Sequence, residues 1–512
     1  MRPAFALPCP GGRARVPFVN PRPDPITPLG SFPARARLLR ALIPCCILAG
    51  ARADSGVPIA PAPRDWTWVQ GAVFVPTNAV NEAEQWDQYD PAVNERELHF
   101  ASVYGINVVR VFLHYDVYRK NRQALLSHIE DFLGRAQKYG IKTDFIFFDD
   151  CWNQPPPDIL SAGYSYPAPI RGVHNSQWLV SPGADVQRDY DRQAPLLKGY
   201  VQGVVAAHRD DARIAFWEIY NEPNHSAETV RLGKDAYAWI KETGSRIPVT
   251  ATGLEFSGGQ YSDFLSWHEY GSYDLRGDRH ALCTECMNRQ GQSVPGVVAH
   301  FRGRTGFILW EFGIGRDNCR FAWSDNRESP RKDEPPVPFH GIVYPDGHPW
   351  SLADVRALLG PEGFERTHFF RARYYRDSGF HSLAKTSVVP FMDFELGNEA
   401  GTGSPDPSAG VPREHFSVRY DGTILAPAAG AYLVSVICDG RVEVLVDGRS
   451  IVSTQGPGGG RFAGTLVIAG NRTLPVEIRY SHESGIARLH VGWSGPGFGE
   501  RILEPGSHFD GS

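Results

Sequence analysis

Nowhere in the 512 residues is there an apolar run long enough to cross a bilayer, which takes about 20 residues, so no membrane insertion is expected. Ala41–Gly50 is apolar but short. Arg35, Arg37 and Arg40 precede it and Ala51-Arg52-Ala53 follows, so the stretch reads as a secretory leader cut before Asp54, with a buried helix as the alternative. Basic charge is scarce beyond that point. Residues 1–53 hold eight Arg and one Asp, and without them 44 Lys+Arg face 56 Asp+Glu, a net charge of −12 (44 − 56). With no basic patch, nucleic acid and anionic membrane surfaces are excluded as expected partners. Cysteine is sparse as well. Of eight, Cys9, Cys45 and Cys46 fall before the cut, and the five that remain leave at least one free thiol. Cys283-Thr-Glu-Cys286 is a single C-x-x-C without a second pair, weak ground for zinc. A tight disulfide, a thiol pair and half a zinc site stay open for it, and the reading is of no metal and no cofactor.

What is present is a large apolar and aromatic content. Hydrophobic residues make up 42% and there are twelve Trp, enough for a sizeable core, while 512 residues exceed one ordinary domain and suggest two. The chain is organised around Phe216-Trp-Glu-Ile-Tyr-Asn221-Glu222-Pro223. Ile214–Tyr220 is apolar and aromatic but for Glu218, the pattern of a strand covered on both faces in a parallel sheet. Pro223 cannot donate a ladder hydrogen bond and biases Glu222 away from helix, so the carboxylate is placed at the strand's carboxyl end. Gly306-Phe-Ile-Leu-Trp-Glu311-Phe-Gly313 repeats the form 89 residues on (311 − 222). Two glutamates at the ends of two buried parallel strands would face one cleft. Cleavage of a glycosidic bond needs two such carboxyl groups: one protonates the leaving oxygen, and the other attacks the anomeric carbon or activates water.

On those residues the chain resembles the retaining (β/α)8 glycoside hydrolases of the cellulase and β-galactosidase clan. The resemblance implies that Asn221-Glu222 ends strand four with Glu222 as acid/base, and that Glu311 ends strand seven as nucleophile. It also implies that Arg110 supports the nucleophile, a structural ion pair being the competing reading. His268 and Tyr270, at the polar end of strand six, are placed against nucleophile or sugar. A sugar-stacking Trp ends strand eight, with Trp323 the candidate.

The remaining spacing fits an alternation of strand and helix. Strands are predicted at 66–78, 106–115, 141–148, 247–253 and 264–271, and helices at 95–104, 125–138, 193–208, 228–243, 294–302 and 351–359. His114 either lines the cleft or packs. Asp149-Asp150 after strand three either bind sugar hydroxyls or cap a helix. Residues 152–181 form a long loop with Trp152 at its start, read as a wall of the cleft. Only eleven residues separate Glu311 from Trp323, too few for a helical crossover, so strand eight is sought at 320–323 or 341–344.

Past Gly360 the pattern changes to short strands with Gly-rich turns, the signature of an all-β sandwich. Stretches such as His415-Phe-Ser-Val-Arg-Tyr-Asp-Gly422, Asp439-Gly-Arg-Val-Glu-Val-Leu-Val-Asp-Gly448 and His490-Val-Gly-Trp-Ser494 resemble the protective-antigen-type domain of toxins, adhesins and glycosidases. Some members bind calcium and sugar through an Asp-Asp pair. Here the pair is Cys438-Asp439, one acid short for an ion that prefers several oxygen ligands. The expected organisation is a leader region (1–53), a TIM barrel (64–362) and a β-sandwich (367–508), in an α/β class overall. The expected function is an exported, secreted or periplasmic glycoside hydrolase acting on β-glycosidic bonds of a carbohydrate substrate. A non-catalytic carbohydrate-binding protein and a transglycosylase are the alternatives.

Overall fold

The computed structural model describes residues 64–253, 261–271, 273, 278–397, 403–454, 456 and 459–506. The expected leader at 35–53 lies outside them. Eight parallel strands form the first sheet: β1 (Gln70–Val73), β2 (Val108–Phe112), β3 (Lys142–Asp149), β4 (Ile214–Asn221), β5 (Val249–Thr250), β6 (Ser266–Glu269), β7 (Leu282–Cys286) and β8 (Gly306–Leu309). Their order is β5-β4-β3-β2-β1-β8-β7-β6, so β1 pairs with both β2 and β8 and the sheet curls into a nearly closed TIM barrel. At the seam between β5 and β6 the Thr250 and Ser266 hydroxyls meet at 2.8 Å. Every residue of β2 and β4 is buried, as expected of strands with helices on one side and a filled barrel on the other.

Local signals set the helices. Asn121 accepts the Ala124 N–H and starts Arg122–Lys138, whose Leu125, Ile129, Phe132, Leu133 and Ala136 form the buried stripe. Gly140, at φ +72°, then turns the chain into β3. Tyr190–Ala207, Ala227–Glu242 and Val294–Phe301 follow the same logic, the last two capped by Ser226 and Ser293.

The strand count departs from the sequence reading. Leu282–Cys286 is a barrel strand, so Gly306–Leu309 is the eighth strand and not the seventh. Neither 320–323 nor 341–344 forms a strand of the barrel. As the short Glu311–Trp323 spacing implied, no helix directly follows β8; the irregular segment 310–351 does, pinned by bridges of Val343 to Gly313 and Pro349, and Leu352–Arg366 closes the barrel behind it. Among the described residues no helix lies between β5 and β6 or between β6 and β7.

The second half is antiparallel. Its strands are β9 (Phe370–Tyr375), β10 (Leu383–Val389), β11 (Asp393–Leu396), β12 (Phe416–Ala426), β13 (Gly430–Cys438), β14 (Arg441–Val446), β15 (Arg449–Ser453), β16 (Gly460–Ile468), β17 (Arg472–His482), β18 (Ala487–Gly495) and β19 (Phe498–Ile502). One sheet runs β10-β9-β12-β17-β14-β15. The other runs β11-β18-β13-β16, with β19 also on β18. Alternate residues such as Val442, Val444 and Val446 enter the shared core. Barrel and sandwich belong to one compact unit. Phe391 stacks on Phe100 at 4.6 Å, and the Tyr374 hydroxyl donates to Asp346 at 2.7 Å. His348 lies between Asp346 and Asp406, at 2.6 and 3.2 Å.

Candidate active site

Three neighbouring strands of one barrel wall and two from the other send polar side chains to a common point. Arg110, in the middle of β2 and fully buried, donates to both oxygens of Glu218 on β4 (2.8 and 2.9 Å). The same guanidinium donates to Asn221 Oδ1 at 2.9 Å and to Glu285 Oε2 on β7 at 2.9 Å. Glu285 Oε1 accepts the Tyr270 hydroxyl at 2.5 Å. Glu222, one residue past β4, shares a hydrogen bond through Oε1 with His268 Nδ1 at 2.8 Å and accepts the Cys151 thiol on Oε2 at 3.4 Å. His268 Nε2 lies 3.6 Å from Glu285, so the imidazole bridges the two carboxylates. One carboxylate oxygen each from Glu222 and Glu285 and one His268 nitrogen lie within 4.8 Å of one another. About a third of the Glu222 side chain (32%) is open to solvent at the barrel mouth, against 8% for Glu285.

These neighbours set the charges. Burial raises the Glu285 carboxyl and the charge of Glu222 adds to that, while His268, Arg110 and Tyr270 pull it down; the net direction is up. Burial also works against the charge on Glu222, but the His268 hydrogen bond and its charge outweigh it and hold that carboxyl below its ordinary value. Burial would lower His268, and the charges of Glu285 and Glu222 overcome it, leaving the imidazole above its ordinary value. Glu218, Glu285 and Asp144 together keep Arg110 charged despite its burial.

Of the residues singled out in the sequence, Arg110, Asn221, Glu222, His268 and Tyr270 converge here. Trp323 joins them from the segment after β8 and not from a strand end. Its ring is 37% exposed and meets Tyr270 edge-on at 5.0 Å. Trp152, at φ +74°, packs its ring 5.2 Å from His174 in the long loop. Two residues with alternative readings make structural contacts. His114 is fully buried and caps the helix Tyr115–Lys120, its Nδ1 accepting the Asp116 N–H, so it does not line the cleft. Asp150 spends its oxygens on structural hydrogen bonds, accepting Tyr220, Gln187, Thr229 and the Asn224 N–H, which ties the end of β3 to the turn after β4.

Glu311 is placed differently from the sequence expectation. It follows β8, not β7, and is 1% exposed. Its carboxyl gathers with Asp317 and the Cys319 thiol, apart from the Glu222 cluster. Burial and the charge of Asp317 push it well above its ordinary value. Two residues at the mouth were not singled out. Glu285 sits at the polar end of Leu282-Cys-Thr-Glu285, an apolar run closed by a carboxylate like the two that were read, but the C-x-x-C around it drew the attention. Trp310, with rings of Phe112 and Trp178 at 5.9 and 5.5 Å, occupies the strand-eight end where Trp323 had been sought.

Cys283 and Cys286 are separate buried thiols donating to the carbonyls of Glu285 and Ile308, both at 3.4 Å. None of the five described cysteines is in a disulfide. In the sandwich, Asp439 spends Oδ1 on the Tyr480 hydroxyl and the Arg488 N–H, and Oδ2 lies 3.1 Å from His482 Nδ1. With both oxygens engaged and Cys438 beside it, this donor set does not fit calcium.

Residues 372–506 match the PA14 domain family. No curated protein matches the chain. Among solved structures, an anti-sigma factor domain-containing protein is 20% identical with a TM-score of 0.26, over 28% of this chain and 49% of that one. The chain thus spans about half the length of that relative. A GH5_18 protein from Streptomyces cattleya, solved with GlcNAc, is similar at 11% identity and a TM-score of 0.39, over 57% of this chain and 79% of that one. An exo-β-1,4-mannosidase from Opitutaceae bacterium strain TAV5 is similar at 13% identity and a TM-score of 0.39, over 56% of this chain and 57% of its own.

Proposed function

We propose that the chain is an exported retaining glycoside hydrolase in which Glu222 is the acid/base and Glu285, not Glu311, the nucleophile. The observation that carries this reading is the separation across the barrel mouth. Carboxylate oxygens of Glu222 and Glu285, on β4 and β7, lie within 4.8 Å of one another. Retaining enzymes hold their pair at about 5–5.5 Å, whereas inverting ones leave about 6.5–9.5 Å for a water. Glu285 is gripped by Arg110 and Tyr270, which fix its orientation and favour its charged form once a sugar displaces water. Its oxygen attacks the anomeric carbon as Glu222 gives a proton to the departing glycosidic oxygen. Glu222, held below its ordinary value, draws that proton from the imidazolium of His268 across their 2.8 Å hydrogen bond and is a carboxylate again once the oxygen has left. Water, deprotonated by Glu222, then releases the sugar from Glu285 with the anomeric configuration kept. Trp323 and Tyr270 offer ring faces on which a pyranose can lie.

The substrate class is a β-linked oligosaccharide or polysaccharide, and the PA14-like sandwich is read as a carbohydrate-binding module on the same chain. The test is a panel of aryl β-glycosides and β-glucan, mannan, xylan and galactan, with the first-formed anomer followed by proton NMR. Retention at a rate that Glu285→Ala abolishes is expected. An inverted product, or wild-type turnover by Glu285→Ala, ends the reading. Export is checked by sequencing the N-terminus of the protein recovered outside the cytoplasm, expected at Asp54.

A further inference from the structure

The proposed reaction needs Glu222 in one orientation, yet its backbone sits at φ +41°, a region that L residues adopt only when their surroundings hold them there. The end of β3 supplies that hold. Asp149, 2% exposed, accepts the Asn221 amide at 2.9 Å and the Cys151 N–H at 3.0 Å on Oδ1, and the Trp178 indole at 2.7 Å on Oδ2. Cys151, itself 5% exposed, turns its thiol to Glu222 Oε2 at 3.4 Å, and Asn221 Nδ2 lies 3.8 Å from the same sulfur. Both residues of the Asn221-Glu222 pair are thereby tied to one short turn. We infer that Asp149 and Cys151 form a positioning clamp for the acid/base: Asp149 sets the Asn221 amide and the Cys151 backbone, and the thiol fixes Oε2 of Glu222 while His268 fixes Oε1.

This inference rests on Glu222 being the acid/base, but the clamp can be tested without turnover. The groups facing Glu222 are His268, Glu285, Tyr270, Arg110 and Cys151. Those facing Asp149 are Asp150 beside it in the chain, and Glu82 and Tyr220 from other elements. A donor to the ionised carboxylate favours that form, so deleting the thiol must move the Glu222 titration upward. Three variants separate positioning from packing: Cys151→Ala removes the donor, Cys151→Ser keeps one, and Asp149→Asn sets an amide against three donors. On the aryl glycoside that wild type cleaves fastest, Cys151→Ala is expected to lower kcat by roughly tenfold, the size of one lost hydrogen bond to a charged group, with KM little changed. The pH limb assigned to Glu222 should shift upward, Cys151→Ser should restore both, and Asp149→Asn should lose more kcat than Cys151→Ala. Independently, carbon-13 titration of protein labelled at the Glu carboxyls, with Glu222 assigned by its loss in Glu222→Gln, should show the same upward shift in Cys151→Ala and its reversal in Cys151→Ser. An unmoved Glu222 titration in Cys151→Ala, or identical behaviour of the Ala and Ser variants, overturns the clamp. If no glycoside is cleaved by wild type, the functional reading fails, and the carbon-13 titration still decides the clamp.

Discussion

Glu285 and Glu311 belong to adjacent strands of the same barrel wall, and each follows a short apolar run, yet their surroundings are opposite. Around Glu285 stand a guanidinium, a phenol and an imidazole. Around Glu311 stand a second carboxyl and a thiol, and among the described residues no ion pair joins it to a cation. Both are more than nine-tenths buried. Burial alone therefore does not separate the proposed nucleophile Glu285 from Glu311. What separates them is whether the fold supplies cationic donors from other strands, because a buried carboxylate without them is cheaper to keep protonated. An apolar strand closed by Glu is a local pattern, whereas the partners of that Glu come from far along the chain.

The sharpest way to break this comparison is to remove each carboxyl in turn. Glu285→Ala should reduce turnover by roughly 10⁴-fold or more, the scale seen when a nucleophile is deleted. Glu311→Ala should keep turnover within roughly tenfold of wild type, as a change acting through packing alone would. Initial rates on the best aryl glycoside, with far-ultraviolet circular dichroism to verify folding, decide the matter. The reverse ranking would return the nucleophile to Glu311.

Arg110 tests the other half of the contrast, the cationic frame. It is fully buried and serves Glu218, Glu285 and Asn221 at once. Arg110→Lys keeps the charge but cannot reach all three, and breaking a buried pair typically costs about 3–5 kcal/mol. A fall of that order in the denaturant unfolding free energy is expected, together with loss of activity. A variant of unchanged stability would mean that this network holds nothing together.

Much of this frame was legible from the chain alone. The run Ile214–Asn221, the Gly stops and the helical stripes gave the alternation; Asn221, Glu222, His268 and Tyr270 came from strand ends that could be located, and Arg110 from the resemblance. The eighth-strand problem was not legible, for a physical reason. β7 is five residues long with Thr284-Glu285 in its middle, so its polarity hides a strand whose polar side chains are met from elsewhere in the barrel, Thr284 by the Thr252 hydroxyl and Glu285 by Arg110. Missing it moved every later strand by one. His114 and Asp150 kept two readings each in the sequence, because which way a side chain turns at a strand end depends on Asp116 in one case and on Tyr220, Gln187 and Thr229 in the other.

The exposed rim offers a milder test. Trp323→Ala removes a ring that touches Tyr270 without touching either carboxylate. Stacking of an aromatic ring is worth about 0.5–1.5 kcal/mol, so KM should rise by roughly three- to tenfold with kcat within about twofold. A kcat loss much larger than the KM rise would place Trp323 in control of Tyr270, and hence of Glu285, and not at a sugar subsite.

The smallest effect lies in how stability responds to pH. Burial and Asp317 hold the Glu311 carboxyl well above the value it has in the unfolded chain. Between those two values the folded state binds more protons than the unfolded one, so this group's contribution is fully present below the unfolded value, about 4.3, and drains away as pH rises. Its slope cannot exceed about 1.4 kcal/mol per pH unit for one proton. Glu311→Gln carries no titrating proton and its amide can donate to Asp317, so its unfolding free energy between pH 5 and 8 should fall less steeply than that of wild type. Denaturant titrations of the two proteins at each pH give the comparison directly. Parallel slopes would mean that Glu311 is ionised in the folded protein, and that a cation must then stand where the structure places only Asp317 and Cys319.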